Sequence, residues 1–339
     1  MHMKKGIAVA GNMIVDTIYP IMRYPDPGEL ASIENNISRA TGGAACNVII
    51  DLARLDPGLP LTALGVVGDD ENGSFILESL SRYNNIDSAQ VRRLKTTSFT
   101  LVMSDLSSKQ RTFFHYKGAN AEFSESHINW DLLDVEMLHI GYLMLLDELD
   151  KPDHEYGTKM ARLLASAKQR GIRTSIDLVS DEPGRFRSIV PPALRHTDYC
   201  IINEIEAERT TGIPLRGTAG LIGENMPAAL NAIKDMGVAR WVVVHAPEGG
   251  FGLDCTTGQF VSVESLRLPD GYIKGTTGAG DAYCAGVLYG AWLGQSLQDA
   301  LELGTACAVC SLSEPGATEG MHAYPEVMQL YTGLKKRAH

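Results

Sequence analysis

The sequence predicts an α/β protein with a mainly parallel sheet flanked by helices on both faces and a small β-sheet lid. Three observations predict this class. Short apolar runs alternate with longer amphipathic segments, the alternation extends over most of the 339 residues, and two polar, β-branched stretches interrupt it. Short buried strands joined by helices form right-handed βαβ units, and the strands of such units pair in parallel.

The elements of the main sheet follow in order along the chain. Strands are predicted at residues 7–11, 61–67, 137–140, 173–178, 199–203 and 241–245, where apolar residues run continuously. Helices are predicted at residues 43–55, 71–83, 228–236, 279–293 and 297–310. A further helix is predicted around Met160, Leu163, Leu164 and Ala167, which follow the spacing of one helical face.

The lid is predicted from residues 30–39 and 91–116, which contain no helical periodicity. Residues 92–97, 98–104 and 111–116 are interpreted as antiparallel strands joined by turns. The alternative is that they are ordinary edge strands of the main sheet. The chain is predicted to be a single domain, 1–339, with lid insertions at about 17–40 and 90–120.

Composition argues against several classes of partner. The chain has 30 basic and 41 acidic residues and a net charge of −11, which disfavours nucleic acid or an anionic membrane as the main partner. No apolar run approaches the ~18 residues that cross a bilayer. The apolar start is interrupted by Asn12 and Asp16, so it predicts a buried strand rather than a signal peptide. Six cysteines are too few for a disulfide framework and suit a reducing compartment, so we expect a cytoplasmic protein.

The segment from Gly275 to Tyr283 is the richest in chemistry. Its small residues open directly into an apolar helix, and the free N–H groups at such a helix start bind anions. Gly278 and Gly280 let the backbone approach a phosphate closely. Asp281 would be out of place in a site that only binds anions, but as a base it could accept a proton from an attacking hydroxyl. A simple helix cap after a glycine turn explains the segment taken alone.

Two further segments offer groups that would contact a polyhydroxyl ligand. Gly42 and Gly43 open a helix that carries Asn47, whose amide both donates and accepts hydrogen bonds. Asn12 and Asp16 follow the first strand, at the sheet edge where α/β proteins bind ligands. The plainer interpretation is a helix start and a turn residue.

Asn203 and Glu206 form an N-x-x-E pattern after a predicted strand. Their oxygen atoms suit hydrated Mg²⁺ beside a triphosphate. The same pattern also predicts a capping box, in which Asn203 caps the helix and Glu206 returns a bond to it. The two interpretations explain the local sequence equally well.

Other nucleotide and metal signatures are absent from the sequence. No G-x-x-x-x-G-K-[ST] motif occurs, and Tyr283 stands where a dinucleotide-binding fingerprint needs a third glycine. Cys307 and Cys310 are spaced as zinc ligands, but they lie in a helical pattern without a second pair. We therefore interpret them as packing residues.

Taken in order, these motifs resemble the ribokinase/PfkB family of ATP-dependent carbohydrate kinases along essentially the whole chain. The resemblance is carried by Gly42-Gly43 with Asn47, Gly65-Val66-Val67-Gly68-Asp69-Asp70 with Gly73, Gly118-Ala119-Asn120, Asn203 to Glu206, Gly278-Ala279-Gly280-Asp281 and Gly316-Ala317. It implies a ribokinase-like, doubly wound α/β fold with a small β lid, and a homodimer in which two lids pack together.

The resemblance also implies roles for individual residues. Asp281 would be the catalytic base. The anion hole would be formed by Gly278, Ala279 and Gly280, and the sugar would be contacted by Asn12, Asp16, Gly42, Gly43 and Asn47. The nucleotide would be bound by Asn203, His245, Gly250 and Thr305, and Glu206 would hold Mg²⁺ through water.

The chain departs from the family pattern at several positions. The last motif usually begins with an Asp that helps to hold a monovalent cation, whereas this chain has Gly275, so cation activation is not expected. The usual Thr-Leu-Gly of the nucleotide turn is His245-Ala246-Pro247, and the adenine-facing Asn of ribokinases is Thr305. Ala44 replaces the Lys that follows the paired glycines in ribokinases, which argues against ribose as the substrate.

The predicted activity is transfer of the ATP γ-phosphoryl group to a hydroxymethyl group of a small sugar, with Mg²⁺ as cofactor. A ketohexose or pentose is favoured, and a nucleoside is the alternative acceptor, because the predicted lid offers both polar and aromatic side chains. These are Arg39, Ser98, Thr100, Phe113, Phe114, His115, Tyr116 and Lys117. A non-catalytic sugar-binding or nucleoside-binding relative is a further alternative. An NAD-dependent dehydrogenase also fits the α/β pattern, but this chain lacks the glycine fingerprint of such enzymes.

Overall fold

The computed structural model describes residues 5–108, 110–179 and 183–337. Its strands, in chain order, are β1 (Gly6–Gly11), β2 (Ile14–Ile21), β3 (Ser38–Gly42), β4 (Leu61–Val67), β5 (Ile86–Asp87), β6 (Val91–Arg93), β7 (Phe99–Asp105), β8 (Arg111–Tyr116), β9 (Val135–Gly141), β10 (Pro152–Asp153), β11 (Gly157–Thr158), β12 (Arg173–Ile176), β13 (Tyr199–Asn203), β14 (Arg216–Gly217), β15 (Gly220–Leu221), β16 (Trp241–Ala246), β17 (Gly249–Asp254) and β18 (Phe260–Glu264).

The helices agree with most of the predicted segments. They are α1 (Ala44–Leu55), α2 (Glu71–Ser81), α3 (Asp147–Asp150), α4 (Lys159–Gln169), α5 (Pro183–Leu194), α6 (Glu204–Thr211), α7 (Met226–Asp235), α8 (Ala279–Leu293), α9 (Leu297–Leu312) and α10 (Tyr324–Arg337). Short 3₁₀ helices lie at Gly118–Glu122, Glu125–His127, Trp130–Leu132 and Gly223–Asn225. Within the described ranges, no helix has the length and apolar character needed to span a membrane.

The central sheet has the strand order β18-β17-β16-β13-β12-β9-β1-β4-β5, and β6 also pairs with β4. Neighbouring strands from β16 to β5 run parallel, whereas β17 and β18 pair antiparallel at one edge. The parallel part confirms the prediction. The antiparallel edge was not predicted, because the glycines of β17 dilute its apolar pattern.

Apolar side chains pack on both faces of this sheet. Ile7 and Val9 of β1 lie in one buried cluster, which includes residues of α1, α8, α9 and α10. Ala8 and Ala10 lie in the other, which includes residues of α4, α5 and α7. Successive residues of a strand face opposite sides of a sheet, so this alternation places helices on both faces. Burial on two faces also explains the continuous apolar runs in the sequence.

A second sheet has the order β3-β2-β7-β8 and forms the lid. β2 pairs antiparallel with β3 and parallel with β7, and β7 and β8 form the predicted antiparallel hairpin. The predicted lid strand at residues 92–97 is wrong. Val91–Arg93 instead pairs with β4 of the main sheet, and the following residues connect it to the lid. The sequence showed no strand at β2, where polar and apolar residues do not alternate cleanly.

Candidate active site

The start of α8 supplies the central residues of the site. Gly278 caps the helix with a φ of 78°, a conformation that favours glycine. A Cβ at Gly278 would also lie 2.6 Å from Cβ of Ala317, so only glycine fits against the Gly316-Ala317 motif. Ala279 and Gly280 begin the helix, where backbone N–H groups lack partners within it. The predicted anion hole therefore lies at the N-terminus of a fifteen-residue helix.

Asp281 lies in the first turn of α8 and is only 5% exposed. Its Oδ2 accepts a hydrogen bond from Nδ2 of Asn47 at 2.8 Å, and its Oδ1 accepts one from the hydroxyl of Tyr142 at 2.6 Å. Burial raises the pKa of Asp281, and these two hydrogen bonds partly offset that rise. A carboxylate with a raised pKa in a buried site can accept a proton from a substrate hydroxyl.

The predicted sugar-binding residues lie around Asp281. Asn47 projects from α1, and its Oδ1 has no hydrogen-bond partner among the described residues. Asp16 lies on β2 of the lid, next to Thr100 of β7. A Cβ at Gly42 would lie 2.2 Å from Oδ2 of Asp16, so the glycine makes room for this carboxylate. Gly43 is the N-cap of α1. Burial, and to a smaller extent the charge of Asp281, raise the pKa of Asp16, against a lowering hydrogen bond from Thr100.

Asn12 is fully buried between β1 and β2. Its Oδ1 accepts a hydrogen bond from the backbone N–H of Tyr142 at 2.7 Å, and its Nδ2 donates to the carbonyl of Leu145 at 3.4 Å. Asn12 therefore holds the loop after β9 against the end of β1. Its contact with Asp281 runs through Tyr142.

A cavity of about 690 Å³ extends from the start of α8. Its polar lining residues include Asn203, His245 and Thr276. Its apolar lining residues include Leu266, Leu268, Ile273, Ala308, Val309 and Leu312. Cavities of this size, with an apolar body and a few polar groups, are typical small-molecule sites.

Three of the predicted nucleotide-binding residues line this cavity: Asn203, His245 and Thr305. His245 pairs with Asn203 across β16 and β13, and burial lowers its pKa to about 4, so it is neutral at pH 7. Thr305 lies on α9 and donates to the carbonyl of Leu301 at 3.0 Å. Gly250 lies opposite His245 on β17, beside the ring of Tyr283, whose hydroxyl would collide with a Cβ at this position.

Asn203 and Glu206 form the capping box that the sequence allowed. Oδ1 of Asn203 accepts from the N–H of Glu206 at 2.9 Å, and Oε2 of Glu206 accepts from the N–H of Asn203 at 3.0 Å. Asp177, just after β12, is also buried near them. Its pKa lies well above its usual range because of burial and then the charges of Glu206 and Asp281. The structure therefore gives Glu206 a capping role, and its binding of Mg²⁺ stays a prediction.

The lid contacts the loop that leads into α8 directly. Arg111, the first residue of β8, donates from Nη1 to the hydroxyl of Thr277, which precedes Gly278. This contact brings a guanidinium beside the start of α8, where the sequence predicts an anion site.

The profile of the pfkB family carbohydrate kinases matches residues 4–323 of the sequence. The chain belongs to the PfkB family of carbohydrate kinases. It is therefore a phosphotransferase with an alcohol group as acceptor, as the ordered motifs predicted.

This PfkB-family kinase is similar to proteins of more than one named activity. It is 21% identical to ribokinase of Staphylococcus aureus over 330 residues, which cover 97% of this chain and 100% of that one. A nucleoside kinase of Methanocaldococcus jannaschii is 23% identical over 325 residues, 95% of each chain. The solved structure of Arabidopsis thaliana ribokinase complexed with ribose and ATP matches with a TM-score of 0.79 and 22% identity, over 97% of this chain and 99% of that one. This likeness confirms the predicted fold class.

Three residues at the site of this PfkB-family kinase were not singled out from the sequence: Tyr142, Asp177 and Arg111. Tyr142 and Asp177 each follow a parallel strand at its carboxyl end, the same signal that selected Asn12. Arg111 is the first residue of a lid strand in which the sequence analysis selected the aromatic residues that follow it. The strand-end signal was present for Tyr142 and Asp177, but the hydrogen bonds of Tyr142 with Asp281 and of Arg111 with Thr277 join distant parts of the chain.

Proposed function

We propose that this protein transfers the γ-phosphoryl group of ATP to a hydroxymethyl group of a small neutral sugar, with Asp281 as the general base. The observation that carries the proposal is the position of Asp281. It lies in the first turn of α8, directly after Ala279 and Gly280, which line the cavity, and Asn47 and Tyr142 hold both of its oxygens. A phosphate at the start of α8 and a hydroxyl group near Asn47 would therefore both come close to this carboxylate.

In the proposed step, Oδ of Asp281 accepts the proton of the sugar hydroxyl as the oxygen attacks the γ-phosphorus. The bond from that phosphorus to the bridging oxygen breaks, and ADP leaves with the bond's electron pair. The N–H groups at Gly278–Gly280 and the dipole of α8 would stabilise the negative charge on the transferred group. Positioning and charge stabilisation supply most of the rate in phosphoryl transfer.

The acceptor side favours a neutral polyhydroxyl compound. Asp16, Asp281 and the unpartnered Oδ1 of Asn47 all accept hydrogen bonds, as sugar hydroxyls require. Two lid cations are already engaged by carboxylates, since Arg39 pairs with Glu71 at 2.8 Å and Lys117 with Asp147 at 2.6 Å. A carboxylated sugar beside Asp16 and Asp281 would meet their negative charge.

The cavity at the start of α8 is the proposed nucleotide site. Its apolar lining residues would suit a flat purine, and the start of α8 at Ala279 and Gly280 would suit phosphates. Glu206 would hold Mg²⁺ through water, and the mutual repulsion of buried Glu206 and Asp177 is the kind of charge that a hydrated cation offsets. When bound, Mg²⁺ would neutralise part of the triphosphate charge.

A coupled assay of ADP release tests the proposal. Pentoses, hexoses, keto-deoxy sugar acids and nucleosides are supplied with ATP and Mg²⁺, and we expect turnover of a neutral monosaccharide. Selective turnover of a nucleoside, with free sugars inert, would replace the sugar by the alternative acceptor. Turnover of none of them would favour a non-catalytic binding protein.

The role of Asp281 is tested by Asp281→Asn. The variant should fold normally and lose at least ~10²-fold in kcat, the scale of a positioned general base. Asp270→Asn, at an exposed position before the loop that leads into α8, is the matched control. Near-wild-type turnover of Asp281→Asn would show that another group accepts the proton.

We also propose a cytoplasmic homodimer that packs through the lids. The edge strand β8 exposes Phe113 by 61% on one face of the lid sheet and Phe114 by 49% and Tyr116 by 47% on the other, and a second copy at this edge would cover these apolar rings. All six cysteines are free thiols, which suits a reducing compartment. Light scattering should give twice the chain mass, and Phe113→Arg should reduce it to one chain. A wild-type monomer at micromolar concentration would contradict the dimer.

A further inference from the structure

Tyr142 holds one oxygen of the Asp281 carboxylate. Its hydroxyl donates to Oδ1 at 2.6 Å, while Asn47 donates to Oδ2 at 2.8 Å. Hydrogen bonds from a neutral donor to a carboxylate at such distances are stronger than bonds between neutral groups. The two donors come from α1 and from the loop after β9, so they fix the carboxylate from two separate elements.

Tyr142 is itself fixed from the first strand. Its N–H donates to Oδ1 of Asn12 at 2.7 Å, and the N–H of Asn12 donates to the carbonyl of Gly141 at 2.9 Å. Nδ2 of Asn12 reaches the carbonyl of Leu145 at 3.4 Å. The fully buried Asn12 thus ties the whole loop that carries Tyr142 to the end of β1.

The surroundings of Asp281 disfavour its ionised form. Burial raises its pKa, and its charge raises the pKa values of partly buried Asp16 of β2 and of buried Asp51 of α1 and Asp177 after β12. Glu206 of α6 adds negative charge next to Asp177.

Arg54 of α1 lowers the pKa of Asp51, but no cation of the described ranges is among the groups that lower the pKa of Asp281. His139 of β9 and His245 of β16 are uncharged at neutral pH, because burial lowers their pKa values to about 3 and about 4. The neutral donors Tyr142 and Asn47 are the groups that lower the pKa of Asp281.

We propose that Tyr142 is a positioning residue, which keeps the Asp281 carboxylate ionised and oriented so that its remaining lone pairs face the acceptor hydroxyl. A carboxylate offers about four lone-pair sites, of which Tyr142 and Asn47 use two. Asn12 acts through Tyr142, by fixing its backbone. This inference rests on the proposed role of Asp281 as base.

Tyr142→Phe tests the proposal because it removes the hydroxyl and keeps the ring. The rate is expected to fall as pH decreases through the pKa of Asp281, since the base must be ionised. Without the hydroxyl this acid limb of kcat/KM should move up by about one pH unit, the scale of one charge-assisted hydrogen bond. At pH above the limb the rate should recover, and KM for ATP should not change.

Tyr289→Phe is the matched control. Tyr289 also lies on α8, and its hydroxyl donates to Oδ2 of Asp56 at 2.9 Å, away from the proposed site. It removes the same kind of bond, so it reproduces any general loss of stability. Its acid limb should stay at the wild-type pH.

A second measurement does not depend on turnover. Carboxyl-labelled aspartate is followed by ¹³C NMR without substrate, and the Asp281 resonance is identified by its loss in Asp281→Asn. Its titration midpoint should be higher in Tyr142→Phe than in wild type. An unmoved midpoint or acid limb in an active, folded enzyme would overturn the proposal, and so would a Tyr142→Phe variant that no longer folds. If wild type transfers no phosphate while the midpoint shifts, the proposed function fails and the effect of Tyr142 on the carboxylate stands.

Discussion

Replacing Asp51 by asparagine is expected to stabilise the protein by an amount that grows with pH. Asp51 lies on α1, is fully buried, and neither of its carboxylate oxygens has a hydrogen-bond partner in the described part of the chain. Burial and then the charge of Asp281 hold its pKa well above the usual range, and Arg54 offsets this only in part. A buried acid without a partner is a cost to folding.

The size of the effect follows from the raised pKa. A carboxyl group whose pKa is higher in the folded state than in the unfolded state destabilises the fold at every pH above its unfolded value. Each unit of that rise costs about 1.4 kcal/mol once the pH exceeds the folded pKa. Asparagine cannot ionise, but it keeps the ~1–3 kcal/mol cost of an unpaired buried polar group. The gain should therefore be about 1.4 kcal/mol or more at about pH 8 and vanish at low pH, where Asp51 is protonated in both states.

Guanidinium unfolding at a series of pH values measures this difference. Wild type and Asp51→Asn are compared with Asp270→Asn, which changes an exposed carboxylate. The difference in unfolding free energy between Asp51→Asn and wild type should rise with pH, with equal denaturant slopes, and the control should show no such trend. If the free energies of wild type and Asp51→Asn stay parallel across the series, Asp51 has a partner in solution and the reasoning fails.

Three further predictions concern the nucleotide side. Glu206→Gln should raise the Mg²⁺ concentration needed for half-maximal activity, because it removes a charge behind the metal's water shell; an unchanged Mg²⁺ titration with lower thermal stability would leave only the capping role. Tyr283→Phe should stabilise the protein by about 1 kcal/mol, since the buried hydroxyl has no partner in the described ranges, and a destabilised variant in a thermal melt would contradict this. Activity should be the same in potassium and in tetramethylammonium salts, because Gly275 replaces the acidic residue that would help to hold the cation. A Cβ at this position would lie 2.7 Å from the carbonyl oxygen of Pro315, so the backbone here has no space for an acidic side chain. Several-fold activation by potassium would count against it.

The parallel sheet was predictable because each of its long strands is buried on both faces. Residues 61–67 and 199–203, for example, read as continuous apolar runs and form β4 and β13 with the predicted bounds. β17 carries three glycines in six residues, and the pairing of Val91–Arg93 with β4 depends on a tertiary contact. Neither feature leaves a periodic signal in the sequence.

The site was predictable in its parts and not in its connections. Strand-end and helix-start rules selected Asn12, Asn47 and Asp281 from the sequence. The hydrogen bond between Asn47 and Asp281 joins residues 234 apart, and that between Tyr142 and Asp281 joins residues 139 apart. No local pattern encodes such bonds, because they depend on how α1, α8 and the loop after β9 pack together.

These connections decide whether Asp281 can work as a base. Its place in the first turn of α8 favours the ionised form through the helix dipole, an effect of about 0.3–1 kcal/mol at exposed sites. Burial and the neighbouring carboxyl groups act in the opposite direction, and in the proposed mechanism the same dipole also stabilises the transferred phosphate. Two neutral donors, Asn47 and Tyr142, can favour the ionised carboxylate without adding a cation. A cation there would itself attract the phosphate. A cationic side chain at position 47 or 142 would stabilise the ionised form of Asp281 more strongly. It would also lower the basicity of that carboxylate, on which proton transfer depends.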